Sequence, residues 1–97
     1  MIIAELSIVP LSVGTSVSQY VKSAVQVIEN SGLKNQTGGM STVIESPDLD
    51  TLFNVIKDAE TAVLSKGAQR VIITLKIDHR VDKEASIESK IKAVTSK

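Results

Sequence analysis

Seven residues divide this chain into short units and constrain its fold. The five glycines, Gly14, Gly32, Gly38, Gly39 and Gly67, and the two prolines, Pro10 and Pro47, all fall between stretches of regular hydrophobic periodicity. None interrupts one. Glycine reaches backbone conformations closed to other residues, and proline fixes φ, so both mark turns. The 97 residues between and around them read as a succession of single strands and single helices.

Met1–Val9 has the period of a strand. Ile2, Ala4, Leu6 and Ile8 share one face, and Ile3, Glu5, Ser7 and Val9 the other. Val17–Asn30 has helical spacing, with Val17, Tyr20, Val21, Ala24, Val25 and Ile28 on one stripe. Ser16 and Gln19 have the spacing of a capping box. Leu33–Thr37 and Ser41–Ser46 flank Gly38-Gly39 and suggest a hairpin. The first run is polar and reads as an edge strand. In the second, Val43 and Glu45 share one face, and Thr42 and Ile44 the other.

Pro47 opens a helix over Asp48–Lys66, where Asp48 and Asp50 suit the positive end of the helix dipole. Its apolar stripe reads Leu49, Leu52, Phe53, Ile56, Ala59 and Val63, which assigns Phe53 to the core. Gln69–Asp78 is the strongest strand. Val71, Ile73, Leu75 and Ile77 alternate with Ile72, Thr74, Lys76 and Asp78. A charged turn, His79–Lys83, leads to a last helix over Glu84–Thr95, with a narrow stripe of Ile87, Ile91 and Val94.

The order is strand, helix, strand, strand, helix, strand, helix. It predicts an α+β protein with the ferredoxin-like βαββαβ pattern and an extra C-terminal helix, as one domain over residues 1–97. The sheet would be antiparallel and four-stranded, with two helices on one face. The open face would carry Ile3, Val9, Val43 and Ile72, an apolar patch that monomers rarely leave bare. Chains are therefore expected to pair through it. The narrow stripe of the last helix also needs a neighbour, on its own chain or another.

Composition removes several functions. Eleven basic and eleven acidic residues give no net charge, so the basic field needed for nucleic-acid binding is missing. With no cysteine there is no thiolate nucleophile and no Cys-ligated metal, and one histidine makes no multi-histidine site. No cofactor is implied. Ile2–Pro10 is too short for a membrane span, contains Glu5 and follows no basic leader, so the expectation is a cytoplasmic protein without membrane contact. Tyr20 and Phe53 are the only aromatics, so one chain cannot build an aromatic cage.

The polar residues of the open face are the main site candidates: Glu5, Ser7, Glu45, Thr74 and Lys76. Two readings stand. They form a polar pocket between chains, where carboxylates suit a cationic ligand and hydroxyls orient it. Or Glu5, Glu45 and Lys76 are inter-chain ion pairs that fix docking register. Tyr20, early in its helix, can bring its hydroxyl to a site at the sheet end. Ser12–Ser18 reads as a capped loop, and His79 as a surface residue.

Four stretches together resemble a known family. They are Ile2-Ile3-Ala4-Glu5-Leu6-Ser7-Ile8-Val9-Pro10; Ser16-Val17-Ser18 with Tyr20-Val21; Gly39-Met40-Ser41-Thr42-Val43-Ile44-Glu45; and Gly67-Ala68-Gln69-Arg70-Val71 through Lys76-Ile77-Asp78 with Arg80, Asp82 and Lys83. In this ordered set the chain resembles the small thiamine-binding proteins. The resemblance implies a ferredoxin-like fold, dimers formed through sheets, and tetramers built as dimers of dimers. It also implies binding of thiamine or a related pyrimidine without catalysis. Under it, Glu5 or Glu45 would offset the thiazolium charge. Ser7, Thr42, Thr74 or backbone groups would serve the aminopyrimidine. Tyr20 and Met40 would supply contact, and Lys76 would oppose the cation unless a carboxylate neutralises it. Gly39, Ser41 and His79 depart from residues common in the family. The alternatives are a structural or regulatory homo-oligomer without ligand, and an enzyme of thiamine metabolism with a carboxylate base.

Overall fold

The period-two runs form strands and the helical runs form helices in a computed structural model, which describes residues 1–14 and 16–95. In chain order the elements are β1 (Ile2–Pro10), α1 (Ser18–Asn30), β2 (Asn35–Thr37), β3 (Thr42–Ser46), α2 (Leu49–Ser65), β4 (Val71–His79) and α3 (Ile87–Thr95). The strands pair antiparallel in the order β2-β3-β1-β4, the ferredoxin-like arrangement.

Register decides which side chains meet. Ala4 lies opposite Ile44 and Ile77, and Leu6 opposite Thr42 and Leu75, on the face that carries α1 and α2. Ile2, Ile28, Ile44, Leu52 and Val63 are fully buried there. Burying each such side chain stabilises by about 1.5–3 kcal/mol. The core is thus built from aliphatic residues, as the two-aromatic composition requires.

Two local expectations are corrected. Phe53 is 47% exposed. The buried stripe of α2 is Leu52, Val55, Ile56, Ala59 and Val63, and Phe53 falls on its flank. The Ser16–Gln19 capping box does not form. The N-cap of α1 is Val17, one residue later, with no side-chain cap. Thr15, inside the Ser12–Ser18 loop, lies outside the described residues. By contrast, Asp48 caps α2, its Oδ1 accepting the Thr51 N–H at 2.7 Å.

The open face is half covered by its own chain. The first turn of α3 lies across it and buries Ile87 and Ile3. The Ile87 N–H donates to Glu45 Oε2 at 3.2 Å. Lys34 pairs with Glu88 on one side, and Lys90 with Asp78 of β4 on the other. The second half of α3 has little beneath it, and Val94 stays 84% exposed. At the far end of the face Val9 and Ile72 remain exposed. Among the described residues no helix is long and apolar enough to cross a membrane.

Candidate functional site

β1 runs four residues beyond the end of its pairing with β3. The β1–β3 ladder stops at Leu6↔Thr42, because the chain turns at Gly39-Met40 between β2 and β3. β4 continues beside β1 to Pro10↔Val71. The hydrogen bond from the Leu11 N–H to the Arg70 carbonyl, at 2.8 Å, sets the parity of the strand. Odd residues of β1 turn their backbone groups to β4, and even residues turn theirs to the β3 side. Pro10, an even residue without an N–H, therefore leaves no bond unmade.

Ile8 is the even residue between Leu6 and Pro10. Its N–H and C=O face the gap left by β3 and take no partner among the described residues. Ile8 is only 6% exposed. Its backbone donor and acceptor thus stand side by side on the wall of the gap, where an incoming group can pair with them. The gap is a slot of about 280 Å³. Val21, Ala24, Val25 and Ile28 of α1 wall it on one side. Ser7 and Val9, which point to the open face, also line it, as does the hairpin from Thr37 to Thr42. Its size is close to the lower end of small-molecule pockets, and its walls are aliphatic with hydroxyls and a backbone edge.

The sequence candidates divide among three places. Glu5, Ser7, Thr74 and Lys76 cluster on the open face, with Glu5 opposite Lys76 and Ser7 opposite Thr74. Ser7, Met40 and Thr42 line the slot. Met40 is 90% exposed at its mouth, and Thr42 sits on the helix-bearing face within 3.3 Å of the Thr37 hydroxyl. Glu45 stands apart from both. It is 5% exposed beneath α3 and accepts the Ile87 N–H, so it anchors that helix. Tyr20 packs against the core cluster, while its neighbour Val21 lines the slot.

The face cluster and the slot are joined by Ser41. Its Oγ donates to Glu5 Oε2 at 3.1 Å, and Ser41 also lines the slot. A second hollow of about 270 Å³ on the open face holds Glu5, Lys76, Asp78 and Lys90. Lys90 holds the Asp78 carboxyl below the usual carboxylate range, and Lys34 does the same for Glu88. Glu88 in turn raises the Lys34 ammonium. These shifts belong to the α3 contacts rather than to the slot. Among the described residues, no three His, Cys, Asp or Glu side chains converge to hold a metal ion.

Sequence reasoning singled out Ser41 only as a departure from the family, without its bond to Glu5, and missed the Ile8 backbone edge. The signal for the edge was Pro10. A proline at the end of a central strand requires that the side its N–H would face be unpaired there.

The comparisons with known proteins agree with this architecture. A UPF0045 protein of Methanocaldococcus jannaschii is 47% identical over 93 residues, spanning 96% of this chain and 91% of its own. A crystal structure of a hypothetical protein from that organism, also 47% identical, matches with a TM-score of 0.88 over 96% of this chain and 94% of that one. A Bacillus cereus domain of unknown function is 30% identical, with a TM-score of 0.86 over 98% of this chain and 90% of that one. A Thermotoga maritima structure, described as a candidate thiamine biosynthesis/salvage protein, shares the fold at 19% identity, with a TM-score of 0.82 over 96% and 97% of the two chains. The family model described as thiamine-binding protein matches residues 4–95, which takes in all of the fold but the first two residues of β1, together with the slot and α3. By that match and these identities, the chain belongs to the thiamine-binding protein family.

Proposed function

We propose that this protein binds thiamine, or a compound with thiamine's aminopyrimidine, in the slot beside β1 and does not turn it over. The observation that carries the reading is the backbone edge at Ile8, unpaired among the described residues, inside an apolar slot of ligand size. Thiamine has a neutral aminopyrimidine and a cationic thiazolium. The slot wall is aliphatic and hydroxylic, which suits the neutral ring. Glu5, held by Ser41 at the slot's edge, supplies charge for the cation where the slot meets the open face. Lys76 opposite Glu5 moderates that attraction. Met40 at the mouth can fold over a bound ring, since its thioether is flexible and makes favourable contacts with aromatic systems.

Oligomer formation belongs to the same reading. Val9 and Ile72 leave the far half of the open face apolar and bare, and a second chain docked there would cover it and the slot's open-face side. A cytoplasmic homotetramer, a dimer of dimers, is the expected assembly. Family membership and the slot support a binding protein. Among the described residues, the slot's lining is aliphatic and hydroxylic, and Glu5 reaches its edge through Ser41.

Calorimetric titration of the full chain with thiamine tests the reading. Saturable heat at one site per chain, weakened by Glu5→Gln, is expected. No heat and no thermal shift at millimolar thiamine would refute it.

A further inference from the structure

The geometry points to the Ile8 main chain as the reader of the aminopyrimidine: its N–H donates to a ring nitrogen and its C=O accepts from the adjacent exocyclic amine. This rests on the slot being the ligand site and specifies how that site discriminates.

Three observations support the assignment. The N–H and C=O of one residue in an antiparallel strand project to the same side, so together they offer a donor and an acceptor side by side. An aminopyrimidine edge presents the complement, an acceptor nitrogen beside a donor amine. Next, Ile8 is the β1 residue whose pair faces the slot, since Leu6 is engaged with Thr42 and Pro10 has no N–H. Finally, the slot places the aliphatic wall of Val21, Val25 and Ile28 beside that edge, so a flat ring can pair in-plane with Ile8 and lay a face on α1. The ring would occupy the place of the next β3 residue. The hairpin turn vacates that place by carrying Met40 out into solvent.

This arrangement makes a chemical distinction. Replacing the 4-amine by a 4-oxo group moves the proton to the ring nitrogen and inverts donor and acceptor. Such a ring can meet Ile8 only turned over, which exchanges the positions of its substituents. The slot is therefore selective for aminopyrimidines over oxopyrimidines of the same shape, through backbone rather than side-chain chemistry.

The experiment uses the full chain and the free pyrimidine half of thiamine, 4-amino-5-hydroxymethyl-2-methylpyrimidine, with its 4-oxo counterpart as the second probe. The amino compound is expected to bind about tenfold or more tighter than the oxo compound, which must either set donor against donor and acceptor against acceptor or turn over and misplace its substituents. Its addition is also expected to slow hydrogen exchange at the Ile8 amide. Incorporating the α-hydroxy analogue of isoleucine at residue 8 removes that N–H and nothing else of the side chain, and should weaken the amino compound about tenfold. Equal affinity for the two probes, or an unchanged Ile8 exchange rate in their presence, overturns the assignment. Thiamine binding with no binding of the free pyrimidine also overturns it and leaves the proposed function standing. Failure of both ligands overturns both. The two-probe comparison needs no variant, so the test holds even if the residue-8 ester fails to fold.

Discussion

Truncating Ile87 to alanine should release α3 without unfolding the sheet. α3 has nine residues, and a helix that short is marginal on its own in water. Its attachment consists of the buried Ile87 side chain, the Ile87 N–H on Glu45, and two ion pairs at the surface. In a rigid core, isoleucine to alanine costs about 2–5 kcal/mol. Here the cost cannot exceed the docking free energy, because the helix can detach instead of keeping a cavity. Losing most of one buried isoleucine removes about 2 kcal/mol of docking, a shift of roughly 30-fold in the attached-to-detached ratio. Native-state hydrogen exchange reads this directly. Amides over 90–95 should exchange roughly 30-fold faster in Ile87→Ala, with those of β1 and β3 nearly unchanged. Equal acceleration of α3 and β1 amides would refute the reasoning, since it would make α3 part of the cooperative core.

Phe53→Ala should cost about 1 kcal/mol, well below the 3–5 kcal/mol of a buried phenylalanine, because the ring is half exposed; thermal unfolding measures it, with a fall of no more than about 8 °C expected. Acid should free α3. The Asp78 and Glu88 carboxyls have folded values below their ordinary ones, so their contribution is present above the ordinary carboxylate range and is lost as pH falls through the lowered values. Protection over 90–95, taken relative to the intrinsic exchange rate at each pH, should accordingly fall below about pH 4, and added salt should lower it at neutral pH. Glu5→Gln should weaken thiamine while leaving the neutral pyrimidine half unaffected, as measured by calorimetry with the two ligands.

Much of the fold was legible because each element carried its own period and its own stop. The alternation of Ile2 to Ile8 and of Val71 to Ile77 assigned their faces correctly, and the register confirms those faces. Gly32 and Gly67 adopt the positive φ that the helix ends suggested. What failed was local competition. Leu49, Leu52, Phe53 and Ile56 all fit one wide helical stripe, and spacing alone could not show that the buried arc is Leu52, Val55, Ile56, Ala59 and Val63. The face of Glu45 was read correctly, yet its use was not. Only the three-dimensional return of α3 turns that carboxylate into an anchor. The slot was illegible for a related reason. It is built from missing pairing, and a strand that outlasts its neighbour leaves no mark on its side chains except at Pro10.

The central claim is that the bared edge of β1 is where this member of the thiamine-binding proteins holds its ligand. Titrating isotope-labelled full chain with thiamine, and following every backbone amide, tests it most directly. The account predicts that the largest shifts fall on Ile8, its β1 neighbours, the 37–42 hairpin and the facing residues of α1, saturating together, with the Ile8 amide moving furthest. Saturable shifts confined to Glu45, Asp78 and α3, with Ile8 unmoved, would contradict it.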